Sequence, residues 1–319
     1  MNIRFQLSRV AAVILMATTL TVYTGCKTQQ QPATPKATSV ESTQRVLINE
    51  EATAWAKAHT TELIDKYMAT AGNKIDPDEM RRLFKPIGYD GGSNTVYYRD
   101  AERYLVDSLY SVMLQRAVDA GKTQFVIFTG PSASGKSTAA KEMDFSETGL
   151  VYDAAFNSYK KLATAIKKAE RYGMKEIRVI AVYNTIRNCF KNSVERGKTS
   201  KRFIHIPYMI ESFGNNLHKM ELLKQNFPEV EFFCFDKSDN VHAKLVTIDE
   251  ACKWDFNVTQ DDITYLFNVL RDEIDKGDLT KHQLAYIKGD ILSIKGLSDS
   301  NRRLAEEIDS RIRAMAGQD

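Results

Sequence analysis

The feature that most constrains the fold of this 319-residue chain is an apolar run followed at once by a glycine-rich loop. The run spans Gln124–Thr129, and the residues from Gly130 to Ser137 fit the pattern G-x-x-x-x-G-K-[ST] at every fixed position. Such a pattern predicts a buried strand, a tight loop whose amide N–H groups face an anion, and a helix that begins beside that anion. We therefore expect a phosphate-binding loop, followed by a helix over Ser137–Met143.

The positions of this loop have separate predicted roles. Lys136 reaches the β- and γ-phosphates of ATP or another nucleoside triphosphate, and the Ser137 hydroxyl binds Mg²⁺. The alternative is a Gly/Ser turn that matches by chance, against which stand the strand before the loop and the helix-forming residues after it. The residues predicted to surround the phosphates are Gly130, Pro131, Ser132, Ala133, Ser134, Gly135, Lys136, Ser137 and Thr138.

Apolar strands alternate with helical segments after the loop. This alternation predicts an α/β fold with a mostly parallel sheet covered on both faces, of the type found in P-loop NTPases and kinases. Ligands of such sheets bind beyond the carboxyl ends of the strands, where the Gly130 loop and Asp153 both fall. The predicted strands are Gly149–Tyr152, Glu176–Val182 and Val230–Phe235, and the predicted helices are Ser158–Arg171, Ile186–Glu195 and Tyr208–Gln225.

Helical segments flank this core on both sides. Apolar residues recur at helical spacing over Glu50–Ala71 and Arg99–Ala120, and Asp76–Glu79 (DPDE) is typical of a helix start. Thr259–Asp262 resembles a capping box at the start of a further helix. We expect these segments to pack against the core or a partner. The predicted divisions are a helical N-terminal region (46–122), the α/β core (123–240) and a helical C-terminal region (241–319).

Two further groups are candidates for chemistry. Asp153 ends a strand parallel to the loop strand, where it holds Mg²⁺ through water, orients a substrate or accepts a hydroxyl proton. The alternative for Asp153 is a cap for the next helix. The segment Arg196–Arg202 (RGKTSKR) carries four cations on a predicted loop, and its arginines pair with phosphoryl oxygens. The alternative for this segment is a solvated loop.

The N-terminus predicts export. Residues 1–25 combine two arginines with an apolar run over Val10–Val22, which is the pattern of a secretory signal. Thr24-Gly25-Cys26 resembles a bacterial lipobox in which Cys26 becomes the lipidated N-terminus, although Tyr23 stands where leucine is usual. The alternative is an uncleaved N-terminal anchor. Either way we expect a membrane-anchored protein of the bacterial cell envelope, with residues 26–45 as a flexible tether.

Composition narrows the remaining choices. The formal net charge is +3, and the leader contributes two arginines and no acidic residue, so the rest of the chain is nearly neutral. This balance gives no support to nucleic-acid binding. Besides Cys26, the chain has Cys189, Cys234 and Cys252, without a C-x-x-C pair or a histidine at zinc spacing. The sequence therefore does not support a metal–thiolate site or a disulfide framework.

Several short stretches after the loop carry residues that together are typical of one protein family. They are Leu150–Asp153, Ala169–Gly173, Val179–Val182, Val194–Gly197, Lys201-Arg202, Pro207 and Asn215–Lys219. Together with the loop, this set resembles the zeta-toxin family of P-loop kinases over roughly a third of the chain. The resemblance implies transfer of the ATP γ-phosphate to UDP-N-acetylglucosamine, with Lys136 and Ser137 on ATP and Mg²⁺. It also implies that Arg196 and Arg202 stabilise the transferring group, that Asp153 contacts substrate, and that an antitoxin-like protein is a partner.

One departure from the family concerns the general base. In zeta toxins a long segment, with another strand and the aspartate that serves as base, separates the phosphate-loop helix from the strand matched by Leu150–Asp153. Only Thr138–Gly149 lies between them here. Two hypotheses follow: Asp153 itself acts as the base, or the chain is a membrane-tethered nucleotide-binding module that transfers phosphate inefficiently. Export favours the second, because ATP is scarce outside the cytoplasm and the loop could instead bind a nucleotide-sugar.

Overall fold

A mostly parallel sheet forms the centre of the fold. Within the part of the chain that the structure describes, the sheet has six strands in the order β1-β3-β2-β4-β5-β6. All neighbouring strands are parallel except β5 and β6, which are antiparallel. The α/β fold with a mostly parallel sheet is therefore confirmed. The strands are β1 (Lys74–Ile75), β2 (Gln124–Thr129), β3 (Leu150–Asp153), β4 (Glu176–Tyr183), β5 (Glu231–Asp236) and β6 (Lys244–Val246).

The computed structural model describes residues 40–92, 94–140 and 143–315. The predicted leader and Cys26 lie outside the described residues, as does the predicted tether up to residue 39. The first helix begins at Val40, inside the span predicted as tether. None of the described helices is both long and apolar enough to cross a membrane.

Thirteen α-helices lie within the described residues. They are α1 (Val40–Ala58), α2 (Thr60–Ala71), α3 (Pro77–Arg81), α4 (Arg99–Asp119), α5 (Lys136–Ala140), α6 (Tyr159–Tyr172), α7 (Ile186–Ser200), α8 (Ile206–Gly214), α9 (Lys219–Asn226), α10 (Ile248–Ala251), α11 (Gln260–Lys276), α12 (Lys281–Lys288) and α13 (Asp299–Ala314). Short 3₁₀ helices cover Arg82–Ile87, Thr95–Tyr97 and Ile291–Ser293.

The central strand β2 is apolar on both faces because helices cover both. Phe125 and Ile127 pack into a core shared with α1, α2, α4, α6 and α9, whereas Val126 and Phe128 face a smaller core that includes Ala139 of α5. A second large core joins α7 and α8 to α11, α12 and α13. Continuous apolar strands of this kind are typical of a parallel sheet covered on both sides.

Two predicted helices are broken in the structure. The segment predicted as one helix over Glu50–Ala71 divides into α1 and α2 at His59, whose ring lies 2.8 Å from the Trp55 carbonyl oxygen. The segment over Tyr208–Gln225 divides into α8 and α9, because His218 has left-handed backbone geometry with φ of 54°. The helix predicted over Ser137–Met143 is described as α5, Lys136–Ala140.

The basic segment Arg196–Arg202 is not a loop, and this prediction is wrong. Helix α7 continues to Ser200, so Arg196 and Lys198 lie on its last two turns, and Lys201 and Arg202 follow the helix end. The hydroxyls of Thr199 and Ser200 donate to the Arg196 carbonyl oxygen at 3.0 and 2.8 Å, which supports the extra turn. Lys201 ends the helix in left-handed geometry with φ of 57°.

Candidate functional site

The predicted phosphate loop turns sharply where its glycines stand. Gly130 has φ of 137°, and a Cβ there would lie 2.2 Å from the Val182 carbonyl oxygen of β4. Gly135 has φ of 98°, and a Cβ there would lie 3.0 Å from the side chain of Lys237. A side chain at Gly130 would be strained and would collide with the backbone of β4, and a side chain at Gly135 would be strained by its positive φ. The two fixed glycines of the motif therefore lie where other parts of the chain come close to the loop: β4 at Gly130 and the Lys237 side chain at Gly135.

The loop presents unpaired polar groups. Within the described residues, the amide N–H groups of Ser132, Ala133, Gly135 and Lys136 donate to no backbone carbonyl. The buried Ser134 hydroxyl also has no hydrogen-bond partner among them. Successive free amides in a tight turn form an anion-binding concavity. An anion such as a phosphate group fits this donor set.

Lys136 lies among the charges that the sequence predicts for the site. Its ammonium donates to the carbonyl oxygens of Gly130 at 3.2 Å and Pro131 at 2.9 Å. Burial lowers the pKa of Lys136, and the charge of Arg196 lowers it further, whereas Asp153 and Asp76 raise it. The structure thus brings Lys136, Asp153 and Arg196 into electrostatic range of one another.

The two predicted Mg²⁺ ligands differ in their surroundings. Ser137 is exposed at the start of α5, as is Thr138 beside it. Asp153 is mostly buried at the end of β3, where its carboxylate accepts from the Lys74 ammonium at 2.8 Å. Among the described residues, no group of three or more His, Cys, Asp or Glu side chains is arranged to hold a metal ion. The Asp153 carboxylate is therefore paired with Lys74, whereas the Ser137 hydroxyl is open to solvent.

A strand that the sequence analysis missed lies beside Asp153. Residues of β1 pair with β3, with Lys74 opposite Val151 and Ile75 opposite Tyr152. Since the strands are parallel, the residue after β1, Asp76, lies at the same edge of the sheet as Asp153. The Lys74 ammonium is 3.6 Å from the Asp76 carboxylate as well.

Two aspartates follow β1 at this edge. Asp76 is the N-cap of α3, because its Oδ1 accepts from the Asp78 amide at 2.9 Å. The Asp78 carboxylate contacts the guanidinium groups of Arg81 and Arg202. Burial raises the pKa of Asp76, although the nearby Lys74 lowers it. The structure therefore joins the predicted Arg202 to a carboxylate that the sequence indicated only as part of a helix start.

Lys219 lies beneath the loop and is 2% exposed. Its ammonium donates to the Thr129 hydroxyl at 2.8 Å, to the Phe156 carbonyl at 3.2 Å and to the side chain of Asn216. Thr129 ends the loop strand and Phe156 follows Asp153 by three residues, so Lys219 connects the two segments that carry the site. Lys219 belongs to the stretch Asn215–Lys219 that resembles the zeta-toxin family, but the resemblance gives it no role.

Comparison with known proteins assigns no family to this chain. No model of a protein family matches the chain, and no curated protein matches it.

Proposed function

We propose that this protein is an ATP-dependent phosphotransferase of the zeta-toxin-like P-loop kinase type. Its expected acceptor is a hydroxyl of a nucleotide-sugar such as UDP-N-acetylglucosamine. The observation that carries the proposal is the position of β1, which adds Asp76 and Asp78 to the sheet edge where the phosphate loop and Asp153 lie. This edge is where parallel α/β sheets bind ligands.

The position of β1 bears on the main objection raised by the sequence, which is the lack of a recognisable general base. The family has a strand and a base aspartate between the phosphate loop and the strand equivalent to β3. Here a strand beside β3 comes from before the loop in the chain, and two aspartates follow it. We therefore infer that the missing segment has a counterpart at a different place in the sequence.

Asp78 is the better candidate for the general base. Its side chain is one-third exposed and contacts Arg202, the arginine that the resemblance assigns to the transferring group. An acceptor hydroxyl bound at Asp78 would thus lie beside the charge that stabilises the γ-phosphate. Asp76 is committed to capping α3 through the Asp78 amide, so its role is to position Asp78.

The reaction then follows from these positions. The loop amides and Lys136 bind the phosphates, and Ser137 would hold Mg²⁺, which neutralises charge on the β- and γ-phosphate oxygens. Asp78 accepts the proton of the acceptor hydroxyl as its oxygen forms a bond to the γ-phosphorus. The bond between that phosphorus and the oxygen bridging to the β-phosphate breaks, and ADP leaves with the bridging oxygen. Arg196 and Arg202 stabilise the negative charge on the group in transfer.

Phosphate transfer tests this proposal directly. The protein purified without its leader is incubated with ATP, Mg²⁺ and UDP-N-acetylglucosamine, and phosphorylated product is measured. Lys136→Ala is expected to abolish product formation. Asp78→Asn is expected to lower the rate by about 10²- to 10⁴-fold, because a positioned general base typically contributes that much. Asp65→Asn, an exposed aspartate on α2, is the matched control and is expected to leave the rate unchanged.

The outcomes separate the two hypotheses. Product no greater than that of Lys136→Ala would reject transfer to this acceptor. Nucleotide binding by calorimetry without any turnover would favour a tethered binding module instead. Turnover that Asp78→Asn leaves intact, but Asp153→Asn abolishes, would move the base to Asp153.

A further inference from the structure

Lys237 follows β5 and lies against the phosphate loop. A Cβ built on Gly135 would be 3.0 Å from the Lys237 Cδ and 3.2 Å from both its Cε and its ammonium nitrogen. Lys237 is 6% exposed, so most of its side chain lies out of contact with water. The sequence predicts no role for this residue, and the family resemblance assigns none.

The Lys237 ammonium has no hydrogen-bond or carboxylate partner among the described residues. The other two lysines of the site differ in this respect, because Lys136 donates to two loop carbonyls and Lys219 donates to three oxygen atoms. A buried charge without a partner costs stability, and a bound ligand of opposite charge would offset that cost. An anion is the kind of ligand that would pair with Lys237.

The backbone holds Lys237 in this place. Its amide donates to the Tyr183 carbonyl oxygen at 2.9 Å, and its own carbonyl accepts from the Asn240 amide at 2.7 Å. The Asn240 side chain accepts from Asn192 at 2.8 Å, and the Asn192 amide group also lies 3.4 Å from the Ala133 carbonyl of the loop. The turn after β5 is therefore tied to the phosphate loop by side chains as well as by Lys237.

We propose that Lys237 is a second phosphate-binding cation, which contacts the phosphate chain of a nucleoside di- or triphosphate held in the loop. The proposal rests on the proposed function, since it needs a nucleotide in the loop. Lys136 enters the site from the loop itself, whereas Lys237 enters from the end of β5. Two cations on different elements would hold a flexible phosphate chain on two sides.

Binding of ATP and of inorganic tripolyphosphate tests the proposal. Calorimetry compares the leaderless wild-type protein with Lys237→Met and with Lys244→Met, an exposed lysine on the neighbouring strand β6. Lys237→Met is expected to weaken both ligands by about 10-fold or more, because a hydrogen bond to a charged group is lost. Lys244→Met is expected to bind both like the wild type. Lys237→Arg keeps the charge and is expected to retain most of the affinity.

A second measurement separates this role from a structural one. Without ligand, Lys237→Met is expected to unfold at a higher temperature than the wild type, because an unpaired buried charge is replaced by an apolar side chain of similar length. A structural lysine would give a lower unfolding temperature. Tripolyphosphate affinity equal to that of the wild type would overturn the proposal, as would a loss of ligand-free stability. Failure of the folded wild type to bind either ligand would instead reject the proposed function together with it.

Discussion

The three donors of the Lys219 ammonium match three oxygen acceptors, and none of these acceptors is a carboxylate. The lysine is therefore satisfied by hydrogen bonds but not neutralised. Burial, with a smaller contribution from the charge of Lys136, lowers the pKa of Lys219 to about 7. The loop strand and the segment after Asp153 thus depend on a residue that changes charge near neutral pH.

The pH dependence of stability provides a test of this arrangement. The folded-state pKa of Lys219 is about 7, below its value of 10.5 in the unfolded chain, so between these values the unfolded state binds more protons. The free energy of unfolding should rise as pH increases through this window, by more than about 1 kcal/mol. Lys219→Met should lack that rise, and the exposed Lys161→Met should keep it. Denaturant titrations from pH 6 to pH 10 measure the difference, and parallel curves for wild type and Lys219→Met would contradict it.

At the residue scale, the sequence predicts the loop and misses what surrounds it. Gly130, Lys136 and Ser137 can be predicted because their spacing in one short segment encodes a local backbone shape. Lys237 and Asp78 cannot be predicted in this way, because they reach the site through pairing of distant strands. Asp78 was visible only as part of a helix start, a role that the Asp76 cap does fulfil.

At the scale of elements, β1 depends on a single hydroxyl group. The Tyr67 hydroxyl on α2 accepts from the Asp76 amide at 2.7 Å and lies 3.3 Å from the Lys74 carbonyl oxygen. Tyr67 is 3% exposed, so these backbone groups have little access to water. The tyrosine therefore fixes the two ends of a strand that is too short to hold itself in place.

Removing that hydroxyl should weaken the fold and the site together. Tyr67→Phe leaves the Asp76 amide unsatisfied and is expected to lower the free energy of unfolding by about 1–3 kcal/mol. The phosphate-transfer rate should also fall, since Asp76 positions Asp78. Tyr172→Phe is the control, because the Tyr172 hydroxyl has no hydrogen-bond partner among the described residues. Denaturant unfolding at constant pH measures the effect, and equal stability of the two variants would refute it.

Long periodic elements are the ones that the sequence predicts well. Strands β2 and β4 and helix α4 lie within a residue or so of their predicted bounds, and the capping box at Thr259 is confirmed. Strand β1 has two residues and β6 has three, so neither gives a detectable pattern in the sequence. The extension of α7 was missed because the four cations of Arg196–Arg202 resemble a solvated loop, although two of them, Arg196 and Lys198, lie in the helix.

At the scale of the molecule, the helical N-terminal region and the core are packed against each other. Residues 40–315 belong to one compact unit, in which β1 contributes to the sheet and α4 packs on both α1 and α6. The predicted boundary near residue 122 therefore falls between two elements that share one core. Fragments cut at that boundary would lose the edge strand together with Asp76 and Asp78.

The predicted lipid anchor at Cys26 is independent of the candidate site, so it is tested separately. In bacteria fed labelled palmitate, the wild-type protein is expected to be labelled and to sediment with membranes. Cys26→Ala should carry no label, whereas Cys252→Ala, which changes a partly buried free thiol, should be labelled normally. Label that survives Cys26→Ala would exclude lipidation at this cysteine.

The position of β1 also sets the order in which the site is assembled in time. Among the described strands, β1 pairs only with β3, and the whole of α4, β2 and the phosphate loop is synthesised between them. Strand β2 also pairs with β3, but far fewer residues separate β2 from β3 than separate β1 from β3. Closing such a long loop is entropically costly, so pairing of β1 should come late in folding. The sheet around β2 would then form first and Asp76 and Asp78 would take their places last, so any activity that needs these aspartates would appear only when folding is nearly complete.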